Sequence, residues 1–469
     1  MMLLFHVDVI SFHIQPSAIT RSLSLGRKLR AFRKRPLQSQ AENSPPPSPD
    51  LLIHWKGEGI EGYSMQFRHI EFEGALAAVM GASFDRTCLR FSDALSYNGS
   101  VEMPESKLLR FNQAMQYVTT GGQVDQESIV AAVKRSSLVH AVYEIISEAD
   151  TYEGLAEHAV LNDAFADMRP GEANENSTWC VRVRHYGQRS DGEKEKRYGY
   201  RARSLTKEKE ALRALTPLLK QFGGRVDLDD PDCKIYVFDG LTRGKALLAR
   251  RMATGPSVSV IAPNTRICVT NTPLCPIAAF NMCNVAGIRH DSSILDPFAG
   301  SCATLLAAAM IEPSCQTVGI EIAHDGLVNR NDIRKDFTSR DLTEPVSLIH
   351  GDCTDAGTRR AAREAIGNKP FDLIITDPPY GIRESKLAVT PINELLRGMA
   401  HDREAGSPLL AQGGKLVCFL PCQEGEDFDS DVLPSKDLLG QAGLYVELVK
   451  EQPLNEKLSR WLVSFNSIC

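Results

Sequence analysis

Four consecutive residues, Asp377-Pro378-Pro379-Tyr380, have the composition of a site that activates an amino group on a nucleobase. An exocyclic amino nitrogen is a poor nucleophile because its lone pair is delocalised into the ring. If the Asp377 carboxylate and the Pro378 carbonyl each accept one N–H, the lone pair can turn toward an electrophilic methyl group. The prolines keep the backbone rigid, and Tyr380 offers a face on which an extruded base can stack. The motif predicts methyl transfer to a base amine, and the alternative is a Pro-Pro loop with a packed tyrosine.

Three acidic residues upstream of this motif could hold a cofactor. Asp296 opens the segment Asp296-Pro-Phe298-Ala-Gly300, Glu321 follows it by 25 residues, and Asp352 comes third. Gly300 would let the backbone approach a ligand at a helix N-terminus. Glu321 can accept hydrogen bonds from both hydroxyls of a ribose, and Asp352 can accept from an adenine amine. Without a phosphate-binding lysine, the set favours a nucleoside over a nucleotide. Taken singly, each residue also fits a tight turn or a solvated acid.

These residues share one site only if parallel strands carry them to the same edge of a sheet, because ligands bind there in doubly wound folds. From Ser292 onward, apolar strand-like runs alternate with helical stretches, which predicts such a sheet. The predicted strands are Ile294–Asp296, Thr317–Glu321, Val346–His350, Phe371–Asp377 and Lys415–Leu420. Two last runs, Leu444–Val449 and Trp461–Phe465, lack a helix-length crossover, so they should form an antiparallel hairpin at the sheet edge.

The upstream half has the alternation expected of a small α+β RNA-binding unit. Its predicted strands are Leu51–Trp55, Trp179–His185 and Ile235–Phe238. Its predicted helices are Phe67–Met80, Ser128–Ile146 and Ser204–Phe222. The complete expectation is an α/β protein with a Rossmann-like class I methyltransferase domain, mostly parallel with an antiparallel C-terminal hairpin, preceded by this α+β region.

Composition excludes several classes of protein. The 469 residues, 43% of them hydrophobic, can bury sizeable cores, so a peptide or a globally disordered chain is excluded. The longest apolar run, Ala303–Ile311, is far shorter than the ~20 residues that span a bilayer, so no membrane association is expected. The 12 cysteines form no C-x-x-C pair and the 11 histidines no zinc-binding spacing. We expect reduced thiols and no metal site.

Charge is distributed unevenly along the chain. The net charge is −6, but residues 180–251 carry 18 basic and 10 acidic side chains, whereas the segments on both sides are acidic. A local basic segment of this kind suggests an anion-binding module. Its candidate RNA-binding residues are Arg201, Arg203, Arg250 and Arg251. The alternative is an ordinary solvated helix face.

The first 50 residues are rich in arginine and serine and end in the proline-rich linker Ser44-Pro-Pro-Pro-Ser-Pro-Asp50. They are predicted to be a disordered or targeting extension. The domains are then 1–50 for the extension, 51–250 for the RNA-binding region and 251–469 for the methyltransferase. The expected location is cytoplasmic, with organellar targeting by the extension as the alternative.

The motifs together resemble one family, the catalytic subunit of the tRNA guanosine-10 N2-methyltransferase. Asp296-Pro-Phe-Ala-Gly is similar to its cofactor loop, and Thr376-Asp-Pro-Pro-Tyr-Gly-Ile-Arg-Glu384 resembles its catalytic motif. Gly224-Arg-Val-Asp-Leu228 is similar to its THUMP region, and Glu451-Gln-Pro-Leu454 with Ser459-Arg-Trp461 is similar to its C-terminal hairpin. The resemblance runs from about Phe67 to Trp461. One departure is Cys302, where the family usually has glycine.

The resemblance implies an enzyme that methylates the exocyclic amine of a tRNA guanine with S-adenosylmethionine. It implies a ferredoxin-like and THUMP-type region that binds the tRNA, and a small zinc-binding activator subunit that forms a heterodimer with the methyltransferase domain. By position, Asp296, Phe298 and Gly300 would line the methionine end of the cofactor, Glu321 its ribose and Asp352 its adenine. Asp377 and Tyr380 would hold the target base.

Two other functions stay open at the level of sequence. The same chemistry could act on a base amine of ribosomal RNA or DNA, since the Asp-Pro-Pro-Tyr motif does not choose between guanine and adenine. The chain could also be an RNA-binding protein with a catalytically decayed methyltransferase fold, which Cys302 suggests and the intact motif at 377–380 argues against.

Overall fold

The computed structural model describes residues 50–56, 67–92, 95, 115–187, 200–202, 205–242, 245–323, 326, 328–380 and 390–468. Residues 1–49 of the N-terminal extension, Arg203 and residues 381–384 of the extended catalytic motif lie outside these ranges. The contacts of the chain group Pro47–Cys469 into one compact unit, which contains two sheets.

The first sheet is mixed and contains nine strands within the described ranges, in the order β2-β3-β1-β4-β9-β8-β5-β6, with β7 paired to β5. Its strands are β1 (Leu51–Trp55), β2 (Arg90–Phe91), β3 (Met115–Thr119), β4 (Val139–Ala149), β5 (Thr178–Gly187), β6 (Tyr200–Ala202), β7 (Arg225–Val226), β8 (Cys233–Thr242) and β9 (Lys245–Thr254). The helices of this half are α1 (Arg68–Met80), α2 (Gln126–Arg135), α3 (Tyr152–Leu161), α4 (Leu205–Ala214) and α5 (Thr216–Leu219).

One predicted helix is wrong in its second half. The helix predicted over 128–146 ends at Arg135, because Ser136 takes an extended conformation and the chain continues as β4. Both faces of β4 are covered: Val142 packs into one cluster and Tyr143 into another. A strand buried on both sides is a nearly continuous apolar run, which periodicity cannot distinguish from a buried helix.

The second sheet has the order β12-β11-β10-β13-β14-β16-β15. Its strands are β10 (Ser293–Asp296), β11 (Gln316–Glu321), β12 (Ser347–His350), β13 (Phe371–Thr376), β14 (Leu410–Gln423), β15 (Leu444–Pro453) and β16 (Leu458–Ser467). The helices are α6 (Pro276–Ala286), α7 (Ala303–Ile311), α8 (Arg330–Thr338), α9 (Ala356–Ala365), α10 (Thr390–Glu404) and α11 (Lys436–Ala442). The strands from β10 to β14 pair in parallel, so the predicted parallel sheet is confirmed.

The predicted C-terminal hairpin is also confirmed. β15 and β16 are antiparallel, and β16 pairs along β14 from Asn466 to Leu458. Neighbouring residues of β16 enter opposite layers: Leu462 packs with the helices on one face of the sheet and Val463 with those on the other. The hairpin therefore extends the two-layered core across β14.

The two halves meet through a buried polar cluster. Helices α1 and α6 pack closely, and a Cβ on Gly74 would lie 2.5 Å from the carbonyl oxygen of Asn284. Glu71 is fully buried there and accepts hydrogen bonds from the Ser137 and Leu138 amides and from the Asn284 side chain. Arg135 donates to Asn284 Oδ1 at 2.9 Å. These bonds give the N-terminal half a fixed orientation on the second sheet.

Within the described ranges, none of the helices is long and apolar enough to cross a membrane. The same residues contain no group of three His, Cys, Asp or Glu side chains arranged to hold a metal ion.

Candidate active site

A cavity of about 450 Å³ opens where β10, β11, β12 and β13 end. Seven of the nine residues predicted for the cofactor and the catalytic motif line it: Asp296, Phe298, Gly300, Glu321, Asp352, Asp377 and Pro379. Parallel strands carry their C-terminal residues to one edge, which brings together residues as far apart as 296 and 379. Pro378 is buried beside the cavity, and Tyr380 is half-buried behind Asp377.

Asp296 is held rigidly at the end of β10. Its Oδ1 accepts hydrogen bonds from the Thr376 hydroxyl at 2.6 Å and the Phe298 amide at 3.0 Å, and its Oδ2 accepts from the Thr304 hydroxyl. The side chain is 2% exposed, and burial raises the pKa of Asp296 from 3.8 to about 6. This carboxylate therefore ties β10, the loop after it and β13 together.

The pKa of Asp296 predicts a pH-dependent stability. A carboxyl whose pKa is raised by folding stabilises the fold fully below its unfolded pKa, and that stabilisation is lost as pH rises through about 6, a loss on the order of 3 kcal/mol. In Asp296→Asn the amide oxygen can still accept from Thr376 and Phe298, and its nitrogen can donate to Thr304. We expect the melting temperature of this variant, relative to wild type, to rise between about pH 4 and about pH 6 and to change little above about pH 7. The exposed Asp429→Asn is the charge-matched control, and a pH-independent difference would contradict the assignment.

The loop after β10 is clamped by Glu321. Its Oε2 accepts from the Gly300 amide at 2.7 Å, and its Oε1 accepts from the Ala323 amide at 2.7 Å. Gly300 has φ of 50°, a left-handed conformation suited to glycine. Each carboxylate oxygen keeps a second lone pair, so Glu321 can shape the loop and accept from a ligand hydroxyl together.

Cys302 also lies in the left-handed region, with φ of 62°, and is fully buried. Its side chain belongs to the hydrophobic cluster formed with α6 and α7, and it is not among the residues that line the cavity. Arg266 donates to the carbonyl oxygen of Ser301 beside it and fixes the loop from behind. The departure from glycine at 302 therefore places a thiol in the core.

The cavity is strongly acidic. Five carboxylates line it, Asp296, Glu321, Asp352, Asp377 and Glu394, and the described residues around it include neither lysine nor arginine. Asp352 is exposed, and its Oδ1 is engaged by the Thr354 amide and hydroxyl, each at 2.8 Å. Such a lining favours a ligand with hydroxyl, amine and cationic groups over a phosphate.

Asp377 and Tyr380 form a half-buried pair. The tyrosine hydroxyl donates to Asp377 Oδ1 at 2.7 Å. Burial raises the pKa of Asp377, while the charge of Arg460 and the bond from Tyr380 act in the opposite direction. Pro379 is exposed on the cavity side of the turn. The carboxylate thus stands at the junction of the cavity and the tyrosine.

Sequence reasoning missed two residues, one in the cavity lining and one beside Tyr380. Glu394 of α10 is part of the cavity lining, and an acidic residue in a helix does not by itself indicate a binding site. Arg460 of β16 donates from Nη1 to the Tyr380 hydroxyl at 3.4 Å. The predicted hairpin contained Arg460, but only the pairing of β16 with β14 shows that it reaches the catalytic motif.

The four predicted RNA-binding arginines differ in placement. Arg201 is in β6, Arg250 and Arg251 are neighbours in β9, and Arg203 lies outside the described residues. Arg250 already pairs with Glu144 at 2.8 Å and Asp167 at 2.5 Å. Its guanidinium is therefore neutralised within the protein, and an RNA-binding role for all four arginines stays a prediction.

Residues 263–397 match the family UPF0020: RMKL-like, methyltransferase domain. The chain is 25% identical over 379 residues to "tRNA (guanine(10)-N(2))-methyltransferase TRMT11" of Xenopus laevis, covering 72% of this chain and 73% of that protein. It is 24% identical over 373 residues to the same-named protein of Dictyostelium discoideum, covering 71% and 69%. It is 29% identical over 213 residues to "tRNA (guanine(10)-N2)-dimethyltransferase" of Methanothermobacter thermautotrophicus, covering 45% and 57%.

Among solved structures, TrmN from Thermus thermophilus aligns over 76% of this chain and 90% of its own, with 18% identity and a TM-score of 0.37. That TM-score is too low to bear on function, so the relationship rests on the sequences. The resemblance predicted from the motifs is confirmed: the chain contains a methyltransferase domain and is similar in sequence to tRNA (guanine(10)-N(2))-methyltransferases over 71–72% of its length.

Proposed function

We propose that this protein transfers a methyl group from S-adenosylmethionine to the exocyclic N2 amine of guanosine 10 in tRNA. The observation that carries the proposal is the position of Asp377, whose carboxylate lies between the acidic cavity and Tyr380 at the end of β13. The names of the sequence relatives supply the substrate.

The cavity fits S-adenosylmethionine in its chemistry. The cofactor carries a sulfonium and an ammonium, and an anionic lining without lysine or arginine accommodates that charge. Glu321 would accept from the ribose, Asp352 from the adenine, and Asp296 with Phe298 and Gly300 would lie at the methionine end. When bound, the cofactor supplies an electrophilic methyl group.

The chain's own residues prepare the amine. Oδ1 of Asp377 is engaged by Tyr380, and Oδ2 has no hydrogen-bond partner within the described part of the chain. Oδ2 can therefore accept one N–H of the amine, and the Pro378 carbonyl can accept the other. The buried Pro378 leaves little backbone freedom at that carbonyl. The ring of Tyr380 would offer a face on which the extruded base stacks.

A matched pair of substrates tests the proposal. Unmodified tRNA transcripts with guanosine or inosine at position 10 differ only by the 2-amino group. We expect the purified protein, with its activator subunit, to methylate the first and not the second. Equal methylation of both transcripts would refute guanine N2 as the acceptor, and a methyl group on adenine would favour the other base-amine specificity.

We further propose that the N-terminal half, the THUMP-type region, binds the tRNA through its basic segment. Each phosphate contact should contribute ~0.7–0.9 to the slope of log affinity against log salt. Arg201→Glu with Arg203→Glu, or Arg251→Glu alone, should lower tRNA affinity and flatten that slope without changing cofactor binding. Arg250→Glu is a poor test, because it would place a third carboxylate beside Glu144 and Asp167. Unchanged slopes in filter binding would place the RNA elsewhere.

The proposal includes a small zinc-binding activator subunit as partner and a cytoplasmic location, as the family resemblance implies. The partner is tested by comparing methylation by the isolated chain and by the heterodimer. The location is tested by imaging the full-length chain and a form that begins at residue 51.

A further inference from the structure

Arg460 is a buried arginine that the proposed mechanism does not use. Its side chain enters from β16, and the residue is 8% exposed. Nε donates to Gln452 Oε1 at 2.6 Å, and the guanidinium carbon lies 4.1 Å from the centroid of the Phe419 ring. Gln452 is itself 2% exposed. The guanidinium is thus fixed by neighbouring strands of the sheet.

The remaining contact of Arg460 points to the catalytic motif. Nη1 donates to the Tyr380 hydroxyl at 3.4 Å, and that hydroxyl donates to Asp377 Oδ1 at 2.7 Å. A continuous series of hydrogen bonds therefore leads from Gln452 through Arg460 and Tyr380 to Asp377. Arg460 does not line the cavity, so any effect on the substrate must pass through Tyr380 and Asp377.

We propose, on the basis of the function proposed above, that Arg460 is a positioning residue of the methyl-transfer site: its fixed positive charge keeps the Asp377–Tyr380 pair in the arrangement that accepts the base amine.

The physical reason is the cost of burying Asp377. A carboxylate taken out of water is costly unless a compensating charge lies near it. Burial raises the pKa of Asp377, and Arg460 is the leading influence against that rise. Only the ionised carboxylate has acceptor oxygens for both the tyrosine and an amine.

Other groups also face Asp377. Asp296 at the end of β10 and Cys418 on β14 interact with its charge, and Glu394 lines the same cavity. The charges of Asp296 and Asp377 repel each other, so ionising both carboxyl groups together is less favourable. Among the described residues whose charges act on Asp377, Arg460 is the positively charged one.

The first experiment compares pH–rate profiles of the complete heterodimer for wild type, Arg460→Lys and Arg460→Met. The methionine keeps an apolar stem over Phe419, and the lysine also keeps the charge. We expect the ascending limb of Arg460→Met to move up by at least about one pH unit, and Arg460→Lys to stay near wild type. A uniform loss of rate in both variants, with the limb unmoved, would overturn the proposal in favour of a packing role.

The second experiment needs no methylation. If Arg460 compensates the charge of Asp377, then Arg460→Met lowers the melting temperature at about pH 8, and adding Asp377→Asn recovers part of the loss. A packing role predicts that Asp377→Asn gives no recovery. Calorimetric binding of S-adenosylmethionine confirms that each variant is folded. The guanosine and inosine transcripts test the proposed function separately, because this thermal cycle does not depend on which base is methylated.

Discussion

Replacing Asp377 by alanine is expected to reduce methyl transfer by ~10²–10³-fold or more, the typical cost of removing one preorganised group that acts in the transition state. The carboxylate is half-buried at the end of β13 and contacts the cavity, so its loss removes an acceptor for the target amine. Binding of tRNA and of cofactor should change little, since neither is held mainly by this side chain. Single-turnover methylation with separate binding measurements distinguishes the two effects.

Asp377→Asn and Tyr380→Phe are the matched variants. The asparagine keeps the shape but has one acceptor oxygen, which Tyr380 would occupy, so it should be nearly as inactive as alanine. The phenylalanine keeps the ring but leaves Oδ1 of Asp377 and Nη1 of Arg460 without the hydroxyl between them. We expect its rate to lie between wild type and Asp377→Ala. Near-normal turnover of either Asp377 variant would refute the assignment of the catalytic motif.

The second large effect is expected at Glu321. Glu321→Ala removes the acceptor of the Gly300 and Ala323 amides together with the predicted ribose acceptor. Losing a charge-assisted hydrogen bond of this kind costs ~1.5–3 kcal/mol, so S-adenosylmethionine affinity should fall by roughly 10–150-fold. Calorimetric titration measures this directly.

Glu321→Gln tests whether both carboxylate oxygens of Glu321 are needed to hold the loop. A glutamine has only one acceptor oxygen, so its amide nitrogen must face either the Gly300 or the Ala323 N–H. Two hydrogen-bond donors would then point at each other, which is unfavourable. We therefore expect Glu321→Gln to lose nearly as much affinity as Glu321→Ala. Wild-type affinity in the glutamine variant would show that the loop is held in another way and that Glu321 lies outside the cofactor site.

The methyltransferase half could be predicted because its signals are local. Each short apolar run ends in a polar residue, and a parallel sheet brings those ends together, which placed Asp296, Glu321, Asp352 and Asp377 on one cavity. The C-terminal hairpin followed from the short connection between its strands. Position at the end of a strand is therefore enough to predict that these four residues line one cavity.

Contacts that depend on the order of the strands in a sheet could not be predicted from the sequence. Arg460 reaches Tyr380, which lies 80 residues earlier in the chain, because β16 inserts between β14 and β15. The ion pairs of Arg250 with Glu144 and Asp167 likewise depend on which strands and loops become neighbours. The predicted helix over 128–146 failed because β4 is buried on both faces and carries no alternating pattern.

The most direct test of the proposed function is the methylation state of guanosine 10 in tRNA from cells that lack this protein. Position-resolved mass spectrometry of tRNA fragments would compare these cells with cells that again express the wild-type chain or Asp377→Ala. We predict that N2-methylguanosine at position 10 is absent without the protein, restored by the wild type and still absent with the variant. Unchanged methylation of position 10 in the cells that lack the protein, or full restoration by Asp377→Ala, would contradict it.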